Sequence, residues 1–139
     1  MSSESEQNKA IVTRFNKEAI EEGRLAVFEE LIDAAFINHT APAGMSSGRD
    51  GVIRFIIDIL RPAFPDLRVE IYDQVAEGDK VVTRKAFHGT HLGMFMGIPA
   101  TGKSIVFPVI DIIRLQHGKY IEHWSIRDTH AVLQQLTQA

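Results

Sequence analysis

Residues Gly89–Gln135 read GTHLGMFMGIPATGKSIVFPVIDIIRLQHGKYIEHWSIRDTHAVLQQ. Two runs rich in β-branched and aromatic residues, Ser104–Gln116 and Lys119–Ile126, flank His117-Gly118 and predict a long β-hairpin. A loop rich in Gly, Met and Pro precedes it. A helix follows from about Thr129, with Val132, Leu133 and Leu136 on one face. Polar residues interrupt the apolar runs: Asp111 in the first strand, and Glu122, His123 and Ser125 in the second. A carboxylate and an imidazole on strands that otherwise favour burial mark a candidate pocket wall.

Upstream of the hairpin the period changes. Leu67, Val69 and Ile71 alternate with Arg68, Glu70 and Tyr72, Gly78-Asp79 signals a turn, and Lys80–His91 reads as a further strand. Before these the repeat is helical. Ile11, Phe15 and Ala19, with Val12, form an apolar face from Glu6 to Glu22, and Gly23 closes that helix. Leu25, Phe28, Leu31 and Ile32 predict a second helix, and Ala35–His39 a short extended segment. Thr40–Gly48 is a loop. A third helix presents Val52, Phe55, Ile56, Ile59 and Leu60 to the core and is stopped by Pro62 and Pro65. Helices first, then antiparallel strands, then a closing helix define an α+β domain with helices on one face of a sheet.

The chain has 139 residues, the length of one domain, residues 1–139, able to bury roughly 70% of its unfolded surface. Residues 1–5 are expected to be a frayed lead-in. With 45% hydrophobic residues, a net charge of −3 and scattered Lys and Arg, neither a membrane span nor a nucleic-acid footprint is predicted. The absence of cysteine excludes disulfides and thiolate chemistry and suits a cytoplasmic protein.

Two motifs are set aside on physical grounds. Gly97–Ser104 (GIPATGKS) matches the phosphate-binding pattern G-x-x-x-x-G-K-[ST]. Yet Ile105, Val106 and Phe107 follow it, where a helix must start if phosphate is to be held, and no buried strand precedes it. A nucleotide binder is therefore the remotest reading. His88 and His91 form an H-x-x-H, but residues three apart on a strand face opposite sides and no third ligand stands at a useful spacing, so no metal is expected.

Asp111 is the sharper signal. It is either a general acid or base in an apolar cavity, or an ion-pair partner of Arg84, Arg114 or Arg127. If Gly118 forms the bulge of a three-residue-type turn, Asp111 lies opposite Ser125, on the face of His123. A plain two-residue turn puts Trp124 there instead. Asn38 and His39 end an extended segment before a loop and are candidates for the cavity mouth. Met94 and Phe95 are candidates for a soft lid, and His88 for a further substrate contact. Asp128 has the default role of helix N-cap, with access to the pocket as the lesser reading.

Phe36–His39 (FINH) before a Gly-containing loop, Ala63–Asp66 (AFPD), GTHLGMFMGIPATGK, then D-I-I-R-L-x-x-G-K-x-x-E-H-W and a terminal LQQL resemble the SnoaL-like polyketide cyclases. These belong to the superfamily of nuclear-transport-factor-like and ketosteroid-isomerase-like cones. The resemblance implies a curved antiparallel sheet forming a cone around a deep apolar pocket, closed by N-terminal helices, with a short C-terminal helix and usually a homodimer. It also implies ring closure by intramolecular aldol condensation without metal or cofactor. An aspartate on the last strand acts as acid/base, helped by a histidine on the strand before. Carried over residue by residue, His123 and Asn38 match, the acid/base aspartate falls at Ser125, and the assisting histidine at Asp111. The carboxylate has crossed the hairpin. The leading expectation is a cofactor-free acid/base enzyme of cyclase or isomerase type acting on a small apolar carbonyl compound. Asp111 and His123 would be catalytic, and Ser125 and Asn38 would orient the substrate. The alternative is a small-molecule-binding protein that keeps the pocket without the chemistry.

Overall fold

The computed structural model describes residues 3–138. Helix α1 (Glu4–Arg14) runs directly into a π-helical segment, Phe15–Glu21. The Ser3 hydroxyl caps it, accepting from Glu6 N at 3.2 Å. Ser3, Glu4 and Ser5 are thus already part of the helix or its cap rather than a frayed lead-in, because a serine hydroxyl satisfies a first-turn N–H. Residues 1 and 2 lie outside the described residues. Gly23, at φ +69°, ends this helix, and α2 (Leu25–Leu31) follows. Helix α3 (Arg49–Ile53) continues through a π-helical run (Arg54–Leu60) into the short α4 (Arg61–Ala63). Pro62 lies within that last turn instead of stopping the helix. It follows the widened π-helical run, and the chain leaves the helix after Ala63, ahead of Pro65.

The sheet has the order β1-β5-β4-β3-β2. Its strands are β1 (Ile32–Asn38), β2 (Arg68–Glu77), β3 (Lys80–Thr90), β4 (Ser104–Gln116) and β5 (Lys119–Arg127). All neighbours are antiparallel except β1, which pairs parallel with β5. Irregularities in the β1–β5, β2–β3 and β4–β5 pairings add twist and bend the sheet, which stays an open curved cone rather than closing into a barrel. Helix α5 (Thr129–Thr137) completes the chain, with Asp128 as its N-cap accepting from Ala131 N at 3.0 Å.

The alternation of β4 sorts its side chains. Ile105, Phe107, Val109, Asp111, Ile113 and Leu115 are buried on the concave face, while Val106 and Ile110 are exposed on the other. Against the concave face pack Val12, Phe15, Ala19 and Ile20 of the first helix, Val27, Phe28 and Leu31 of α2, and Ile56 and Leu60 of the π-helical run after α3.

Pro108 sits in β4, a strand with neighbours on both sides, where proline normally removes a ladder bond. β5 has already ended at Arg127, which is paired with Val109. Beyond that point β4 bonds to non-strand partners on this side. Asp128 N donates to Pro108 O at 3.0 Å. The Gln135 side-chain amide accepts from Val106 N and donates to Val106 O, both at 2.8 Å. Pro108 therefore falls where no strand needs its N–H.

Candidate active site

The position of Asp111 is set by the hairpin register. His117 (φ +54°) and Gly118 (φ +75°) form a two-residue turn between the paired Gln116 and Lys119. Consecutive positive φ values match the strand twist at such a turn. Alone it would place Trp124 opposite Asp111. Instead, the pairing shifts between Arg114↔Glu122 and Leu115↔Tyr120, leaving Ile121 as an extra residue, and Asp111 pairs with Ser125. The expected partner is found, but the bulge lies at Ile121 and not at Gly118.

Asp111 is buried at 5% exposure and lines a partly open apolar cavity of about 80 Å³ between sheet and helices. Phe15, Phe36, Phe55, Phe87 and Val109 form much of the wall. Apart from Ser46 of the Thr40–Gly48 loop, the polar and ionisable groups in it come from four strands: Asn38 of β1, Lys85 of β3, Asp111 of β4, and Tyr120, His123, Ser125 and Arg127 of β5.

The ion-pair partner of Asp111 is not an arginine. Arg84 pairs with Asp73 at 2.8 Å, Arg114 pairs with Glu122, and Arg127 donates to Thr40 O at 2.6 Å. Lys85 takes the role: its Nζ lies 2.8 Å from Asp111 Oδ2, with both side chains almost fully buried. Lys85 also donates to Asn16 Oδ1 at 2.6 Å, and Asn16 Nδ2 donates to Val12 O at 2.9 Å. A buried chain of polar contacts thus runs from the first helix to the cavity floor. A charged pair is tolerated in such surroundings because each member is bonded.

Two atoms at this wall remain without a partner among the described residues. Asp111 Oδ1 and His123 Nε2 are buried and make no hydrogen bond. Burial lowers the His123 pKa to about 4, against the opposing pull of the Asp111 charge and with help from Lys85 and Arg127, so at neutral pH the imidazole is uncharged. Burial first, and then the negative charge of Asp111, raise the Tyr120 phenol well above its ordinary value.

Asn38 and Ser125 are linked through Thr40. Thr40 Oγ1 and N each lie 3.1 Å from Asn38 Oδ1. Ser125 N donates to Thr40 Oγ1 at 2.9 Å, and the two hydroxyls are 3.3 Å apart. This ties the Thr40–Gly48 loop to the cavity rim.

The other candidates lie elsewhere, mostly because strand alternation turns them away. His39, next to inward-facing Asn38, stacks on Trp124 with ring centroids 4.8 Å apart and bonds Glu122 at 2.8 Å. His39, Trp124 and Glu122 do not line the cavity. His88 follows inward-facing Phe87 and pairs with Glu70 at 2.9 Å. Met94 is exposed, and Phe95 is buried against Phe64 and Phe107, so neither forms a lid. Asp128 caps α5. Among the described residues no group of His, Cys, Asp and Glu side chains is arranged to hold a metal ion. Gly97–Lys103 leads into β4 rather than into a helix, and the remaining partner of the H-x-x-H, His91, is buried and bonded to Thr101 at 2.9 Å.

Lys85, Asn16, Tyr120 and Arg127 are the cavity or support residues that the sequence did not single out as such. Lys85 had a legible signal: it falls in phase with Val81, Thr83 and Phe87, on the inward side of β3.

A curved five-stranded sheet folded over helices around an apolar cavity, with carboxylate, imidazole and ammonium groups in its wall, defines a cone-type pocket protein. The family model of SnoaL-like polyketide cyclases matches residues 10–136, and the chain belongs to that family. Similar solved structures include a SnoaL-like protein from Jannaschia sp. CCS1, with 28% identity, coverage of 100% of this chain and 97% of that one, and a TM-score of 0.84. IdmH from Streptomyces antibioticus has 31% identity, coverage of 95% and 99%, and a TM-score of 0.81. TsrD from Streptomyces laurentii has 25% identity, coverage of 98% of both chains, and a TM-score of 0.85. No curated protein matches the chain by sequence.

Proposed function

We propose that this protein is a cofactor-free acid/base enzyme of cyclase or isomerase type that acts on a small apolar carbonyl compound. The observation that carries the reading is the pair of unpartnered buried atoms, Asp111 Oδ1 and His123 Nε2, at one apolar cavity. Buried polar atoms without partners are costly and mark places where a ligand completes the bonding. In this reading Asp111 Oδ1 takes the proton from the carbon next to the carbonyl. Lys85 holds the other oxygen and fixes the carboxylate in place. The uncharged His123 acts as a hydrogen-bond donor towards the developing enolate oxygen, a role that suits a neutral imidazole better than an imidazolium. Ser125, where the family's aspartate is expected, and Asn38 orient the substrate through the Thr40 network.

The alternative is a binding protein without chemistry. Its support is the Lys85–Asp111 ion pair, which occupies one carboxylate oxygen, together with serine at position 125. The two readings part in a proton-exchange assay. 2-Tetralone in D2O, followed by proton NMR, reports abstraction of its α-protons. The enzyme reading expects wild-type protein to accelerate exchange over buffer, and Asp111→Asn to lose about 10²–10⁴-fold of that rate. Asn keeps an acceptor for Lys85 but cannot take the proton. Saturable ketone binding with no acceleration by the wild type would leave the binding-protein reading in place. Ser125→Asp tests the family route directly, since it returns a carboxylate to the position expected of the cyclases.

A further inference from the structure

Lys85 and Asp111 neutralise one another, and His123 is uncharged at neutral pH. Arg127 then stands out. Its side chain lines the same cavity from the inward face of β5, in phase with His123 and Ser125. Its Nη2 donates to Thr40 O at 2.6 Å, and its guanidinium lies 6.0 Å from the centre of the Phe55 ring. Among the described residues no carboxylate pairs with it. The cavity wall therefore carries Lys85 (+), Asp111 (−) and Arg127 (+), a net single positive charge facing an apolar space. Removing a guanidinium from water without an anion is unfavourable, and burial accordingly lowers the Arg127 pKa with nothing opposing it. Thr40 O occupies only one of the five N–H donors of a fork suited to two-point contact with a carboxylate.

We propose that Arg127 is a specificity-determining residue that recognises a carboxylate on the ligand, so that the pocket selects apolar carbonyl compounds that are also acids. The carboxylate lies at the half-buried Arg127, beside the Thr40–Gly48 loop, and the carbonyl lies deeper, at Asp111 and His123. This rests on the reading of the cavity as a ligand pocket and adds the ligand's charge to it. The phase of β5 makes the arrangement possible: the bulge at Ile121 turns His123, Ser125 and Arg127 inward together.

The test uses two aromatic probes of similar shape, 2-naphthoate and neutral 2-acetylnaphthalene, titrated calorimetrically at neutral pH. The wild type is expected to bind naphthoate about tenfold or more tightly than acetylnaphthalene, and added salt should weaken naphthoate selectively. Arg127→Gln, which keeps a donor for Thr40 O, should remove that preference, so that naphthoate binds no more tightly than acetylnaphthalene. Arg127→Lys should retain part of it. The wild-type comparison needs no variant, so a poorly folded Arg127→Gln does not shield the proposal. Equal wild-type affinity for both probes overturns the carboxylate proposal while the pocket reading stands. So does a naphthoate preference that survives in folded Arg127→Gln. Failure of folded wild type to bind either probe overturns both.

Discussion

His123 is an imidazole held neutral by its surroundings, and this gives stability a definite dependence on pH. Its pKa is about 4 in the folded protein against an ordinary 6.5. Above roughly pH 6.5 it is neutral in both states and contributes no pH dependence. Between about 6.5 and 4 only the unfolded chain takes up the proton, so stability falls with falling pH, by roughly 3 kcal/mol across the window. Urea melts at pH 7, 5.5 and 4.5 should show this decline, and His123→Gln should flatten it. An equally steep decline in the variant would assign the acid sensitivity to other groups. Asp111 behaves differently, because its removal strands Lys85. Asp111→Leu should cost about 3–5 kcal/mol, and the double substitution Asp111→Leu/Lys85→Met should recover most of it. Strand alternation puts His123 and Ser125 on one face, but whether Asp111 faces Ser125 or Trp124 depends on a register that the sequence leaves open, and Asn38 reads only as a candidate for the cavity mouth. The sequence did not mark Lys85 or Arg127. Lys85 shares the inward phase of Val81, Thr83 and Phe87, but nothing local marks it as the partner of Asp111, and Arg127 reads as one of three arginines able to neutralise that carboxylate. Only tertiary geometry shows that Lys85 fills that role and leaves Arg127 unpaired.

At the level of elements, the β4–β5 hairpin determines which side chains reach the cavity. The two strands of the hairpin are legible from period and turn residues to within a residue, whereas β1 begins at Ile32, three residues before the expected Ala35, where the apolar run reads as helix. The bulge was not legible, because Ile121 differs in no chemical way from an ordinary strand residue. Its consequence is large: without it Trp124, not Ser125, would oppose Asp111. The turn and the bulge separate experimentally. Gly118 has φ +75°, and a methyl group added there would meet nothing closer than Ile11 at 3.8 Å. Gly118→Ala therefore meets backbone strain alone and should cost about 1–2 kcal/mol without changing probe affinity. Deleting Ile121 should abolish naphthoate and acetylnaphthalene binding, since a one-residue slip turns His123, Ser125 and Arg127 out of the cavity. A folded deletion variant that still binds both probes would contradict this account of the register. Helix ends show the same partial legibility. Gly23 and Asp128 act where the sequence placed them, whereas the π-helical runs carry no local signature.

On the scale of the whole molecule, the concave face is filled or lined and the convex face is less well covered. Ile110 and its cross-strand partner Ile126 are 47% and 77% exposed. Adjacent apolar side chains of this kind on an outer sheet face are suited to a self-complementary contact across a two-fold axis. We expect a homodimer that uses this face, and sedimentation at tens of micromolar, the order at which a stable interface persists, should show it. Ile126→Lys should shift the population to monomer while leaving probe affinity intact; a wild-type monomer at that concentration would remove the expectation. The overall architecture was the most legible level of all, because helix and strand periods separate cleanly along the chain and the helical half precedes the stranded half. The place where β5 stops short of its neighbour has a further consequence. From Pro108 back to Val106, β4 keeps β3 on one side but has no strand on the side β5 has left, and an uncovered edge of this kind is a template on which a foreign chain can add itself. Proline supplies no donor there, and the Gln135 amide occupies both the N–H and the C=O of Val106. The closing helix therefore does more than cover apolar surface. Its Gln135 amide, beside the Asp128 N bond to Pro108 O, fills the bonding edge that an added strand would need.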